Sequence, residues 1–192
     1  MKKIYIVLTF TGTWLSRAVR VYTRKEYSHV SISLDEDLTK MYSFGRLYPY
    51  NPFLAGFVHE GIDHGTFKRF KKTKTKIYSM EIPEEKYEHI EEMINSVAQK
   101  KNSYKFNFIG LLALTLNVKV KREKCFYCAE FVKYVLEQSD VIELPELVKP
   151  DDFNNISGIS EVYKGLLQEY NTNNKKGIPS FFIKKCYNEY IS

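Results

Sequence analysis

Cysteine is scarce in this chain, and its scarcity limits the classes of protein to which the chain can belong. Only Cys125, Cys128 and Cys186 are present among 192 residues. Three thiols cannot form a framework of paired disulfides, and they are fewer than small secreted scaffolds use. We therefore expect a protein of a reducing, cytoplasmic compartment.

Long hydrophobic runs are also missing. The longest interior apolar stretch, residues 108–116, is far shorter than the roughly 20 residues that cross a bilayer. The first residues imitate a signal peptide, with two lysines before an apolar run. That run, residues 4–10, is short and rich in β-branched and aromatic side chains, which favours a buried strand. We predict no transmembrane segment.

The composition shows no deficit of apolar residues of the kind that accompanies disorder. Hydrophobic residues make up 44% of the chain and charged residues 27%, which is ordinary for one globular domain. We expect a single domain over residues 1–192, with the informative motifs in 1–138 and an extension at 139–192. Aromatic residues are abundant, with 15 Tyr and 13 Phe, and suit a wide, partly wet cleft.

Basic residues are in excess and are unevenly spread. The net charge is +6, and five of the eight residues 69–76 are Lys or Arg. This cluster could contact anionic surfaces through Lys71, Lys72 and Lys74. The commoner explanation of such a cluster is a lysine-rich hairpin turn or edge strand, whose lysines block association between sheets. The sequence contains no recognisable nucleic-acid-binding motif, so we expect no specific nucleic-acid partner.

Hydrophobic periodicity predicts strands in the first part of the chain and helices after it. Alternation at residues 29–34 predicts a half-buried strand, and a polar turn returns the chain as a second arm at 40–44. We expect a loop over 48–57 and two strands, 65–70 and 76–82. Apolar spacings of three and four predict helices at 14–22, 83–97, 106–116, 128–138 and 160–170. This order predicts the α+β fold class rather than alternating β–α–β units.

Cys128 and His29 are the residues most able to do chemistry together. If a helix begins near Tyr127, Cys128 lies in its first turn, where the helix dipole and free N–H groups favour a thiolate. A base must then reach the thiol from elsewhere in the fold, and His29 begins a strand on its polar side. Each residue also has a simpler interpretation, Cys128 as a small buried apolar residue and His29 as a hydrogen-bonded sheet residue.

Cys125 and Cys128 also form a C-x-x-C motif, which can indicate zinc or a redox dithiol. Zinc needs two further ligands, and no recognisable second half-site is formed by the remaining candidates, Cys186, His59, His64 and His89. A redox dithiol would follow a strand in a β–α–β unit, which the sequence does not predict. We expect no metal and no cofactor.

Two short motifs resemble those of a known superfamily. Residues 27–34, Tyr-Ser-His-Val-Ser-Ile-Ser-Leu, resemble the (Y/T)-S-H-V-(G/S)-(I/L) strand of the permuted papain-like cysteine hydrolases of NlpC type. This group includes YiiX-like proteins and lecithin:retinol acyltransferase. Residues 127–132, Tyr-Cys-Ala-Glu-Phe-Val, resemble its (Y/F)-C-(S/A)-E-F-V helix start. The histidine precedes the cysteine in that group, as His29 precedes Cys128 here.

The resemblance implies a circularly permuted papain-like fold, in which an antiparallel sheet packs against helices and the nucleophile lies at a helix N-terminus. It implies Cys128 as the nucleophile, His29 as the base and the backbone N–H of Cys128 as an oxyanion donor. A third polar residue should orient the imidazole, and aligning the hairpin places Ser43 there, where the group more often has His, Glu, Gln or Asn. Glu60 is the alternative orienting residue if residues 57–60 fold back beside the hairpin.

The implied function is a cysteine-dependent hydrolase or acyltransferase of peptidase or amidase type. It would use a Cys–His dyad or a weak triad, form a thioester acyl-enzyme, and act on a peptide, an amide or an acyl ester. One alternative is an inactive papain-like scaffold that serves as a binding module, favoured by serine at position 43. Another is a lipid acyltransferase at a membrane surface, favoured by the basic cluster and the aromatic residues.

Overall fold

The computed structural model describes residues 1–116, 118, 120 and 122–174. Cys186 and the lysine pairs at 175–176 and 184–185 lie outside the described residues, as does the final aromatic segment.

A six-stranded antiparallel sheet is the centre of the fold. In chain order the strands are β1 (Lys2–Phe10), β2 (His29–Ser33), β3 (Met41–Tyr48), β4 (Asn51–Glu60), β5 (Lys74–Ile82), β6 (Lys105–Phe106), β7 (Cys125–Phe126) and β8 (Ile159–Leu166). The sheet has the order β4-β3-β2-β1-β5-β8, and β6 and β7 form a separate short parallel pair. The helices are α1 (Trp14–Thr23), α2 (Gly65–Arg69), α3 (Glu84–Gln99), α4 (Phe108–Thr115), α5 (Cys128–Gln138) and α6 (Leu167–Asn174). Two 3-10 turns lie at Lys101–Ser103 and Pro150–Asn155.

Helices cover both faces of the sheet. On one face Ile6 and Ile32 lie in a core with Phe131 and Val135 of α5, and α3 packs beside them. On the other face Val7 lies in a smaller core with Phe67 of α2. Because β1 is covered on both sides, its residues from Ile4 onward are all buried, which explains the continuous apolar run. The α+β class and the antiparallel sheet packed against helices are confirmed.

The prediction of a loop over residues 48–57 is wrong. The chain turns after Tyr48 and returns as β4, which pairs with β3 through Phe44↔Phe57 and Met41↔Glu60. β4 is the edge strand, and an edge strand tolerates the proline at Pro52 because one side of its backbone needs no ladder hydrogen bond. The aromatic and proline content of this segment suggested a loop, but its pairing with β3 determines its structure.

Two further assignments from periodicity are also wrong. Residues 65–70, expected as a strand, form the short helix α2, which buries Phe67 against the sheet. Residues 160–170, expected as one helix, form β8 followed by α6. β8 pairs along the open side of β5, with Tyr163 opposite Ile77, so sheet pairing overrides a helical spacing that a short segment satisfies by chance.

The other four predicted helices are present in the structure, as α1, α3, α4 and α5. α3 follows Pro83 and has Glu84 and Glu85 in its first turn, as the helix dipole favours. α5 begins at Cys128, one residue after its N-cap Tyr127. Among the residues that the structure describes, no helix combines the length and the apolar character needed to cross a membrane.

Candidate active site

His29 is the first residue of β2, and its imidazole contacts a buried carboxylate. Its Nε2 lies 3.0 Å from Oε1 and 3.2 Å from Oε2 of Glu60. The imidazole is partly buried beside Phe67, with ring centroids 6.5 Å apart. The ring is therefore held by a polar partner on one side and an aromatic wall on another.

The strand register explains how Glu60, on β4, reaches the ring of His29 on β2, two strands away. Ser33 pairs with Met41, and Met41 pairs with Glu60, so these residues project from the same face of the sheet. His29 and Ser31 share that face because side chains alternate along a strand. The Glu60 carboxylate extends along β2, where it accepts a hydrogen bond from Ser31 Oγ as well as contacting His29.

Gly45 provides the space that the two side chains occupy. A Cβ atom at this position would lie 3.3 Å from Cε1 of His29 and 3.4 Å from Oε1 of Glu60. Any side chain at position 45 would crowd both groups. The glycine in the middle of β3 therefore permits a close approach rather than a turn.

Cys128 is fixed by the start of α5. The Glu130 carboxylate accepts a hydrogen bond from the Tyr127 N–H at 3.0 Å, which closes a capping interaction around the cysteine. The Tyr127 hydroxyl donates to the carbonyl of Val148 at 2.9 Å, and Asn107 donates to Glu130 at 3.1 Å. These contacts hold the first turn of the helix in place. Glu130 is thus a structural residue of the site.

Cys128 and His29 line the same cleft, and Cys128 contributes to the charge state of the imidazole. Burial disfavours the charged imidazole, but the Glu60 carboxylate and Cys128 outweigh this and raise the pKa of His29 to about 10. The arrangement favours an imidazolium flanked by two groups that carry or can take negative charge.

A mostly apolar cleft with a volume of about 90 Å³ opens onto Cys128, His29 and Glu60. Arg46 is the cation in its lining, and its Nη2 lies 3.5 Å from Oγ1 of Thr11. Burial lowers the pKa of the Arg46 guanidinium, and the nearby Glu60 charge partly opposes this shift. The rest of the lining includes the aromatic and aliphatic side chains of Phe44, Phe67, Phe106, Phe108 and Leu111. A volume of this size encloses a small part of a ligand, such as one reacting group and its neighbours.

Ser43 does not take the orienting position that the hairpin alignment gave it. Its side chain is buried and donates to the carbonyl of Val30 at 2.7 Å. A short hydroxyl in a strand is satisfied by the adjacent backbone and does not reach the ring. The structure places Glu60, the alternative, against His29.

Three contributors to the site were not identified as such in the sequence, namely Ser31, Gly45 and Arg46. An isolated glycine inside a strand pattern was the available signal for Gly45. Cys125 is buried in β7 as a free thiol. Among the described residues, no group of three His, Cys, Asp or Glu side chains is arranged to hold a metal ion.

No model of a known protein family matches this chain, and no curated protein matches its sequence. The geometry of the site is therefore the basis from which a function can be inferred.

The Glu60→Gln variant tests the source of the His29 charge. Glutamine keeps a polar group beside Nε2 but removes the negative charge, which is the largest of the causes that raise the pKa of His29, so this pKa falls from about 10. A pH titration of the imidazole carbon-bound protons by NMR measures this. His89, exposed on α3, is the internal control. An unchanged His29 titration would show that Glu60 does not hold the charge.

The same contact predicts how stability depends on pH. The His29 pKa is about 10 in the folded state against 6.5 for a free histidine, so its contribution is complete below pH 6.5 and is lost as pH rises towards 10. In a Cys128→Ala background the thiol neither titrates nor raises the His29 pKa, so urea unfolding should show the fall beginning above pH 6.5 and ending at a pH lower than 10, because Glu60 alone then raises that pKa. Adding Glu60→Gln should flatten the dependence. A profile equally steep with and without Glu60 would contradict the assignment.

Gly45→Ala should disturb the site with little change elsewhere. Its Cβ would force the His29 ring or the Glu60 carboxylate to move, which weakens the contact at 3.0 Å and lowers the pKa of His29. Gly56→Ala is the matched control, because Gly56 pairs directly with Gly45 and its Cβ would meet only Leu47, at 3.9 Å. The NMR titration should separate the two variants. Equal effects of both would mean that Gly45 has no special role.

Proposed function

We propose that this protein is a cysteine-dependent hydrolase or acyltransferase that acts on an amide or ester. The observation that carries the proposal is that Cys128, His29 and Glu60 line one cleft, with the Glu60 carboxylate 3.0 Å from Nε2 of His29. A carboxylate, an imidazole and a thiol in that order make up the charge arrangement of a cysteine nucleophile with its base and orienting residue.

In the proposed resting state, His29 carries the proton and Cys128 is the thiolate. The Glu60 carboxylate accepts the Nε2–H and stabilises the imidazolium, which a serine at this position could not do. The high pKa of His29 supports this assignment, because a ring protonated at neutral pH can act as a proton donor in the first step. The triad is then Cys128, His29 and Glu60.

In the first step, the thiolate attacks the substrate carbonyl carbon, and the electrons of the C=O bond move to oxygen. The N–H of Cys128 lies at the start of α5, where it has no intrahelical acceptor, and it would donate to this oxyanion. As the tetrahedral intermediate collapses, the bond to the leaving nitrogen or oxygen breaks and His29 gives that atom its proton. A thioester of Cys128 remains.

In the second step, neutral His29 removes a proton from water, or from an acceptor alcohol or amine, as that molecule attacks the thioester. Collapse of the second intermediate releases the acid or the transferred acyl product and restores the thiolate and imidazolium. Water gives hydrolysis, and another acceptor gives acyl transfer. The apolar lining of the cleft favours an acyl group with apolar character.

The architecture supports the permuted papain-like fold that the two motifs imply. An antiparallel sheet supplies the histidine before the helix that supplies the cysteine, and the cysteine is the first residue of that helix. The binding-module alternative drew on the serine at position 43. That argument loses weight because Glu60 lies beside the ring.

Selective reaction of Cys128 with electrophiles tests the proposal. An iodoacetamide probe should alkylate Cys128 much faster than Cys125, a buried free thiol three residues earlier that serves as the internal control. His29→Ala should slow Cys128 alkylation by roughly 10²-fold or more, the range associated with loss of an acid–base partner. Mass spectrometry of the two modified cysteines gives both rates.

Turnover needs a separate measurement. An activated ester such as p-nitrophenyl acetate should release one equivalent of p-nitrophenol in a burst, leaving an acetyl group on Cys128. Cys128→Ser should abolish the burst, and Cys125→Ser should preserve it. A folded protein whose Cys125 and Cys128 thiols react at similar rates, with no acetylated Cys128, would exclude the proposed chemistry.

A further inference from the structure

Four segments surround the mouth of the cleft, and we call them the rim. They are residues 11–25, 45–57, 64–74 and 105–116, and each contributes to the lining, for example through Thr13, Arg46, Thr66 and Phe108. The sheet register brings three of them to one end: β1 ends at Phe10 opposite Lys74, β2 begins at His29, and the turn between β3 and β4 follows Tyr48. The rim is therefore a single end of the molecule.

Exposed apolar side chains are concentrated on the rim. Of the 14 large hydrophobic side chains that are exposed among the described residues, 11 belong to it. The six most exposed of these are Trp14, Val21, Tyr50, Phe53, Leu112 and Leu116. Concentrated apolar exposure of this kind marks a surface that contacts something other than water.

Basic residues are also concentrated on the rim, and acidic residues lie outside it. The rim contains 11 of the 29 Lys and Arg residues and none of the 23 acidic residues, so its formal charge is +11 and that of the rest of the chain is −5. Arg17 and Arg20 on α1 are exposed, as are Lys71 and Lys72 after α2. A partner for this surface must be anionic and must also accept aliphatic and aromatic side chains.

An anionic lipid surface meets both requirements. Its headgroups attract Lys and Arg, while Trp, Tyr and Phe enter the boundary between headgroups and acyl chains. A protein partner would usually require a mixed pattern of both charge signs, and a nucleic acid would not accommodate so many aliphatic side chains.

We propose that the rim docks this protein on the surface of an anionic lipid bilayer, with the mouth of the cleft against the headgroups. The inference stands on exposure and charge alone, and it holds whether or not Cys128 turns over a substrate. Docking in this orientation would bring groups at headgroup level to the cleft.

Trp14 provides a direct test because it is the only tryptophan in the chain, and it is 62% exposed on the rim. The full-length protein is mixed with vesicles of phosphatidylcholine alone or with added phosphatidylglycerol. The anionic vesicles should co-sediment the protein and shift Trp14 emission to shorter wavelength, and bromine-labelled acyl chains should quench it. Salt should weaken the binding because charged headgroups contribute to it.

Matched charge reversals test which surface binds. The triple variant Arg17→Glu, Lys71→Glu, Lys72→Glu should reduce partitioning roughly 100-fold, because each basic residue near an anionic surface contributes about fivefold. The control Lys2→Glu, Lys3→Glu, Lys86→Glu has the same net charge but alters the opposite end of the sheet, where β1 begins and α3 follows β5. It should change partitioning by only about twofold. Circular dichroism checks that both variants fold.

Several results would overturn the proposal. They are no binding to anionic vesicles, binding without any change at Trp14, and equal loss of binding in the two triple variants. A shift of Trp14 emission that depends on protein concentration without lipid would instead identify the rim as a contact between copies of the chain. Tighter binding to a single-stranded oligonucleotide than to the anionic vesicles would point to a nucleic-acid partner and would also reject the lipid surface.

Discussion

The contact between Glu60 and His29 is the interaction on which the site depends. A buried carboxylate and a partly buried imidazole are each costly to hold in the charged form, and each offsets part of that cost for the other. The contact requires β4 to pair with β3 so that Glu60 projects from the same face as His29, and it requires a residue without a side chain at position 45. The edge strand β4, Gly45 and the orientation of the His29 ring therefore depend on one another.

On the helix side of the site a second carboxylate, that of Glu130, holds the helix start that carries Cys128. Glu130 caps the start of α5 and receives a hydrogen bond from Asn107, which fixes the first turn of the helix, while the rest of α5 packs on the sheet. The two carboxylates have different tasks: Glu60 stabilises charge on the imidazole, and Glu130 satisfies the backbone at the helix N-terminus. The site is formed where the capped helix start meets the end of the sheet.

The sequence predicted local secondary structure better than it predicted which strands, distant in sequence, pair with each other. Alternation around His29 and the spacing of Cys128, Phe131 and Val132 were enough to predict a strand and a helix start. The sequence could not decide whether Ser43 or Glu60 orients the imidazole. Ser43 lies on the strand next to His29, and Glu60 becomes a candidate of equal standing only when residues 51–60 are known to form the edge strand β4. Residues 160–166 show the same limit, since only the open side of β5 decides that they form a strand. Long-range pairing has no signature within a short window.

The location of the rim and the location of the site have a common cause. Loops and strand ends gather where β1 ends and β2 begins, so this end of the sheet holds both the reactive side chains and the segments free to vary around them. A surface pressed against the rim would exclude water from the mouth of the cleft. Charge interactions strengthen as water leaves, so the attraction between Glu60, the His29 imidazolium and a Cys128 thiolate would increase on docking. The apolar and basic rim would then have two effects. It would hold the protein at the surface, and it would lower the dielectric constant around Glu60, His29 and Cys128.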